Sequence, residues 1–143
     1  MTVAAILGRK GRDVVTTTGA ATIGDAVALL AKRKIGALVV VEGTARIAGI
    51  VSERDVVRAV AADGGGALAK PVSAIMTRTV MTCGEGETID SVMARMTRGR
   101  FRHLPVVTDG KLAGIVSIGD VVKARIEQVE HEAEEMRAYI ATA

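Results

Sequence analysis

The sequence predicts a mixed α/β (α+β) fold in which two copies of a β-α-β-β-α unit pack face to face with pseudo-two-fold symmetry. Three observations lead there. The chain repeats itself once, each copy alternates between helical and strand periodicity, and neither copy alone is large enough to bury a stable core. Thr22-Ile23-Gly24-Asp25-Ala26-Val27 aligns with Thr88-Ile89-Asp90-Ser91-Val92-Met93, and Ala37-Leu38-Val39-Val40-Val41 with His103-Leu104-Pro105-Val106-Val107. The segment Ala48-Gly49-Ile50-Val51-Ser52-Glu53-Arg54-Asp55 returns as Ala113-Gly114-Ile115-Val116-Ser117-Ile118-Gly119-Asp120 once one residue is dropped from the turn at Gly43 to Arg46.

The elements follow in chain order. A short N-terminal helix ends over Gly8 to Arg12, and Val14-Val15-Thr16 form a short strand. Thr22 is an N-cap with Asp25 three residues on, and Ile23, Ala26, Val27 and Leu30 make a helical stripe that stops at Gly36. Leu38 to Val41 and Ile47 to Val51 are β-branched runs too short for helices and are joined by a Gly-containing turn, so they read as a hairpin. A second helix starts after Ser52. Copy two repeats the order with Val80-Met81-Thr82, a helix from Ile89, strands Leu104 to Val107 and Leu112 to Val116, and a helix after Ser117 that continues through Glu127 to Tyr139. The linker Gly64-Gly65-Gly66, leading to Pro71, has the composition of a flexible connection. The expected division is 1–66 for the N-terminal segment and repeat one, 67–125 for repeat two, and 126–143 for an acidic helical extension.

Composition narrows the function. Phe101 and Tyr139 are the aromatic residues of a chain of 143, too few to build the stacking platforms of single-stranded nucleic-acid binders. The net charge is +3, and the tail from Lys123 sets Lys123, Arg125 and Arg137 against Glu127, Glu130, Glu132, Glu134 and Glu135. The excess positive charge therefore sits in the body, at a level that suits a small anion better than duplex DNA. No nucleic-acid partner is expected. No apolar run is long enough to span a bilayer, and Arg9, Lys10 and Arg12 interrupt the N-terminus, so a cytoplasmic protein without membrane contact is expected. The single Cys83 and the lack of zinc-type spacing predict neither a disulfide nor a metal site.

The duplicated Gly-Ile-Val-Ser-x-x-Asp lies where a buried strand passes into a helix, and a helix N-terminus offers unpaired N–H groups and a positive dipole end to an anion. Ser52 or Ser117 could donate to a phosphate or ribose oxygen, while Asp55 or Asp120 could accept from ribose hydroxyls. The same spacing is also a capping box, in which the serine caps the helix and the acid closes back on its amide. Capping does not explain why the preceding Ala-Gly-Ile-Val is duplicated too. The glycine lets backbone or ligand approach closely.

With these residues in view, the chain resembles the CBS (cystathionine-β-synthase) domain pair, or Bateman module, of the bacterial stand-alone type. The resemblance runs from about Val14 to about Arg125 and rests on the two β-α-β-β-α copies, on Ser52-Glu53-Arg54-Asp55 and on Arg102-His103-Leu104-Pro105-Val106-Val107. It implies a non-catalytic regulatory module that holds an adenine nucleotide in a cleft between repeats and signals to a separate effector protein. AMP or ATP is favoured, with NAD also within the family's range. The resemblance places ribose on Asp55 and Asp120, phosphate near Ser52 and Ser117, and adenine against the first strand of a copy, around Thr16 to Thr18 or Val80 to Thr82. Thr16, Thr18 and Thr82 are therefore site residues as well.

Arg102 and His103 stand where relatives place phosphate-contacting side chains, although Arg95, Arg98, Arg100 and Arg102 could equally be solvated charge. Copy one has Gly36 and Ala37 there, which leaves Arg54 as its basic candidate; the copy-two counterpart of Arg54 is Gly119. Two unlike sites are expected. His103 as a general base lacks a partnering nucleophile, and Gly84-Glu85-Gly86 does not extend to a dinucleotide-binding motif, so no catalytic residue is assigned. The alternatives are a docking or structural module with vestigial nucleotide sites and, behind it, a small hydrolase or transferase using His103, Ser117 or Asp120. The resemblance also implies a homodimer paired through exposed helices, for which Ala26, Val27, Leu30, Val92, Met93 and Met96 supply apolar faces, unless all six simply fill the core.

Overall fold

Among the described residues, 1–43 and 46–142 of this computed structural model, five helices and five strands follow the expected order but for one strand of the second copy. They are α1 (Val3–Lys10), β1 (Thr16–Thr17), α2 (Ile23–Arg33), β2 (Ala37–Glu42), β3 (Arg46–Ser52), α3 (Glu53–Asp63), α4 (Ile89–Gly99), β4 (His103–Thr108), β5 (Lys111–Ser117) and α5 (Ile118–Thr142). Thr44 and Ala45, within the turn expected to differ in length between copies, lie outside the described residues.

Local chemistry sets the helix ends. Thr22 Oγ1 accepts from the Asp25 amide at 3.1 Å, and Thr88 Oγ1 from the Ser91 amide at 3.1 Å, so both copies start this helix with the same cap. Both also stop it alike, with Lys34 and Arg100 in the left-handed region at φ 55°. Helix α2 thus ends ahead of Gly36. The reversal at Lys34 lets the Ile35 amide reach back to the Leu30 carbonyl at 3.2 Å, which the Lys34 amide also donates to.

The residues group into two compact units that cut across chain order: Asp13–Met81 with the hairpin tip Asp109–Leu112, and Met1–Arg12 with Thr82–Thr108 and Ala113–Ala143. In the first, β1 pairs parallel with β2 and β2 pairs antiparallel with β3, giving sheet order β1-β2-β3. A bulge at Val40/Val41 absorbs Ala48. Leu38, Val40 and Val51 join Ala26, Leu30, Val72 and Met76 in one cluster, and Ile23, Ala59 and Ala67 in another. The glycine-rich linker is not a free tether. Gly64–Ala69 and Val72–Ala74 are 3-10 turns, and the segment is held by Ile23 N to Lys70 O and Val72 N to Ala21 O, each 2.8 Å.

In the other unit, α1 packs with the second copy rather than with the first, which it precedes in sequence. The Val3 and Ala4 amides, orphaned at the helix start, donate to the Glu87 and Glu85 carbonyls at 2.9 Å each. Val3, Ile6 and Leu7 then share a core with Ile89, Val92, Met96, Leu104, Val106, Val116 and Val121. Strands β4 and β5 pair around Asp109-Gly110, whose φ values of 53° and 74° make a two-residue turn matched to strand twist.

The expected strand at Val80 to Thr82 is absent. In copy one the Val39 amide donates to Val15 O at 3.4 Å, but the equivalent residue in copy two is Pro105, which has no N–H. What is left is one parallel bridge, Cys83 to Val106, with Cys83 N to Pro105 O at 3.0 Å and Val107 N to Cys83 O at 2.9 Å.

Candidate functional site

The site candidates divide evenly: Thr16, Thr18, Ser52, Arg54 and Asp55 belong to one unit, and Thr82, Arg102, His103, Ser117 and Asp120 to the other. In the first, β2 organises the placement. Thr16 is opposite Val39 on one edge of β2 while Ser52 is opposite Ala37 on the other, which brings the two hydroxyl residues to the same end of the sheet. Exposed Thr18 follows β1, its carbonyl accepting from the Ala21 amide at 3.2 Å.

Ser52 caps α3, and both halves of the capping box are made. Asp55 N donates to Ser52 Oγ at 3.4 Å, and Ser52 N donates to Asp55 Oδ2 at 2.8 Å. The Ser52 hydroxyl also donates to Asp55 Oδ2, at 3.0 Å. The first amide of α3, at Glu53, is taken by Gly36 O at 3.0 Å. Arg54 is exposed on the first turn.

The other unit reproduces the junction with an addition. Asp120 N donates to Ser117 Oγ at 3.1 Å, Ser117 N to Asp120 Oδ2 at 2.9 Å, and the Ile118 amide to Arg102 O at 2.8 Å. Lys10, at the end of α1, brings its ammonium to 2.8 Å from Asp120 Oδ2 and donates to Ile115 O at 2.9 Å. Burial opposes ionisation of Asp120, but the Lys10 ammonium and the Ser117 amide outweigh it and hold the carboxyl below its ordinary value. A pocket of about 140 Å³ opens beside it, lined by Arg9, Lys10, Lys123, Asp120 and Glu127 together with Met1, Ile6 and Ala124. Arg9 and Glu127 form an ion pair across this wall.

The basic groups nearest Asp120 therefore come from α1 and α5, which sequence reasoning missed. The signal was present in Arg9-Lys10 closing the first helix, but chain order attached that helix to the wrong copy. Arg102 is exposed and His103 is half-buried at the start of β4. Thr82 is half-buried, and its carbonyl accepts from Arg95 at 2.6 Å; Arg95 also pairs with Glu87 at 2.8 Å, so this arginine is structural rather than solvated.

The duplicated glycines serve packing. A Cβ on Gly49 would lie 2.7 Å from Thr77 O and 2.8 Å from the Met76 sulfur, because residue 77 bridges to Ile50 there. One on Gly114 would meet a Leu7 methyl at 2.7 Å. Cys83 is buried, and burial followed by the Glu87 charge pushes its thiol up to about 11, which keeps it protonated near neutrality. Among the described residues no cluster of His, Cys, Asp or Glu could hold a metal, and no helix is long and apolar enough to cross a membrane.

Two strand-to-helix junctions of the same design, one in each copy, define a tandem repeat whose serine and acid pairs recur at matched positions. A family profile for the CBS domain matches residues 9–62 and 72–127. The chain belongs to the CBS-domain family, as a tandem pair or Bateman module. It is 37% identical over 123 residues to the mitochondrial CBS domain-containing protein CBSX3 of Arabidopsis thaliana, covering 83% of this chain and 60% of that protein, so it spans under two thirds of that relative. A CBS-domain protein from Agrobacterium tumefaciens superposes with a TM-score of 0.85 at 51% identity, over 87% of this chain and 92% of that one. A CBS domain protein from Pyrobaculum aerophilum, complexed with AMP, is similar at 30% identity and a TM-score of 0.75, over 84% and 89% of the two chains. A CBS domain pair in complex with 5′-methylthioadenosine and S-adenosyl-L-methionine is similar at 28% identity and a TM-score of 0.80, over 90% and 98%.

Proposed function

We propose that this CBS pair is a cytoplasmic, non-catalytic sensor of an adenine nucleotide, AMP or ATP before NAD, and that it acts as a homodimer on a separate effector protein. The carrying observation is the repeated junction: in each copy a serine and an acid sit at a helix N-terminus, where dipole and hydroxyl favour an anion and the carboxylate can accept from ribose. Asp55 and Asp120 are assigned to ribose, and Ser52 and Ser117 to the phosphate side. Thr16, Thr18 and Thr82 are assigned to the adenine side, with Arg54, Arg102 and His103 as phosphate partners. The similar chain complexed with AMP supports this ligand class.

A second reading is favoured by a specific observation. Asp120 Oδ2 already receives the Ser117 amide and the Lys10 ammonium, and Asp55 Oδ2 receives two donors from Ser52. Acids so satisfied suit a docking module whose nucleotide sites are vestigial.

Calorimetry of the full chain with AMP, ATP, NAD and S-adenosylmethionine separates the readings. The sensor binds AMP or ATP, and Asp55→Asn or Asp120→Asn weakens that binding by about 1.5–3 kcal/mol, the scale of hydrogen bonds to a charged group. No heat from any of the four at millimolar concentration leaves the docking module. Binding unaltered in both variants makes the acids caps and overturns the site assignment.

A further inference from the structure

The apolar helix residues first considered for dimerisation are spent: Ala26, Leu30, Val92 and Met96 are buried, and Val27 and Met93 pack against the cores. Helix α5 has a different face to offer. It runs 25 residues, from Ile118 to Thr142, and buries Val121 and Ala124. About a third of a turn around the helix from these, Val122, Ile126, Val129, Ala133, Met136 and Ile140 recur at alternating spacings of four and three. Val122, Ile126, Val129, Met136 and Ile140 are 41%, 53%, 47%, 60% and 67% exposed. An apolar seam of this length contributes nothing in water until another surface covers it, and its period is that of a left-handed two-stranded coil.

Charges beside the seam choose the occupant and its direction. With Ile126, Ala133 and Ile140 at a and Val122, Val129 and Met136 at d, the flanking e and g positions include Lys123, Arg125, Glu130, Glu132 and Arg137. In a parallel, in-register pair of identical helices, Arg125 lies opposite the partner's Glu130 and Glu132 opposite the partner's Arg137, all attractive. An antiparallel pair with full overlap sets Glu130 against the partner's Glu130, Glu132 against the partner's Glu132, and Lys123 against the partner's Arg137, all repulsive.

We infer that α5 pairs with α5 of a second copy of this chain as a parallel, in-register coiled coil over Val122–Ile140. This rests on the homodimer reading, to which it adds the helix and its direction, and it does not depend on the nucleotide assignment. The test is oxidative cross-linking of full-length Met136→Cys, a d position that faces its own counterpart in the parallel register. His131→Cys, on the outward side of the helix, is the control. The native Cys83 does not interfere, being buried with its thiol pushed up to about 11. Met136→Cys should cross-link nearly fully and His131→Cys should not. Arg137→Glu should weaken dimerisation about fivefold, with Glu132→Arg/Arg137→Glu restoring it. Equal cross-linking of the two cysteine variants, with light scattering still reporting a dimer, would overturn the coil and leave the homodimer standing. Monomer alone from micromolar to millimolar concentration would overturn both.

Discussion

Lys10 and Asp120, at opposite ends of the sequence of one unit, meet at 2.8 Å, and the same ammonium holds Ile115 O at 2.9 Å. The contact ties the end of α1 to the start of α5, and it has a pH signature. Asp120 titrates below its ordinary value of 3.8 when folded, so its contribution to stability is complete above that value and is lost as the pH falls through the folded pKa. Lys10→Met removes the attraction. It should cost about 0.5–1 kcal/mol near neutral pH, on the scale of a partly exposed pair, and less as the pH falls through the folded pKa of Asp120. Urea unfolding of both proteins across this range checks it; a gap independent of pH would mean that the lysine acts through packing alone.

Gly49→Ala and Gly114→Ala should not cost the same. The Gly49 position is closed by a backbone carbonyl, Thr77 O, held in a two-bond bridge, whereas the Gly114 position is closed by the end of the Leu7 side chain. A carbonyl in a bridge cannot step aside as a leucine methyl can. Overpacking typically costs about 1–3 kcal/mol, and Gly49→Ala belongs at the upper end with Gly114→Ala at the lower. Denaturation midpoints that placed them in the reverse order would contradict this.

Native Cys83 should resist alkylation. A thiol at about 11 is almost wholly protonated at neutral pH, and this one is also 4% exposed. Iodoacetamide labelling followed by mass should be negligible in the folded protein and complete in denaturant. Labelling at equal rates in both would show that the Cys83 region opens freely.

Nucleotide binding should raise the melting temperature. At about 100 times the dissociation constant, AMP or ATP adds about 2.7 kcal/mol if it binds the folded chain alone. Asp55→Ala tests the other role of the acid, since losing its capping box should cost about 0.5–2 kcal/mol without ligand. A variant as stable as the parent would show that the box in α3 carries no weight.

Much of this architecture was legible because it is local. The Thr22 and Thr88 caps and the Ser52 and Ser117 junctions each depend on residues within a few positions of one another, so spacing alone points to them. What was hidden is long-range. That α1 joins the second copy depends on the Val3 and Ala4 amides finding the Glu87 and Glu85 carbonyls, which no local pattern announces. The lost strand at Val80 to Thr82 could have been foreseen, because Pro105 stands where Val39 donates in copy one. The left-handed Lys34 and Arg100 could not, since neither residue type favours that conformation.

The placement of α1 also bears on how the chain is made. One unit is completed by Asp13–Met81 but for its hairpin tip, while the other needs both Met1–Arg12 and the residues after Met81. During synthesis, α1 leaves the ribosome before the residues it packs against and must wait, its Val3 and Leu7 uncovered, until those residues have emerged. Closing that loop grows only slowly in entropic cost with its length, and it is shortened in effect once the residues between have collapsed. Residues made before the whole of the first unit are therefore among the last to find their place, and they act as the clasp on the half of the molecule that is finished second.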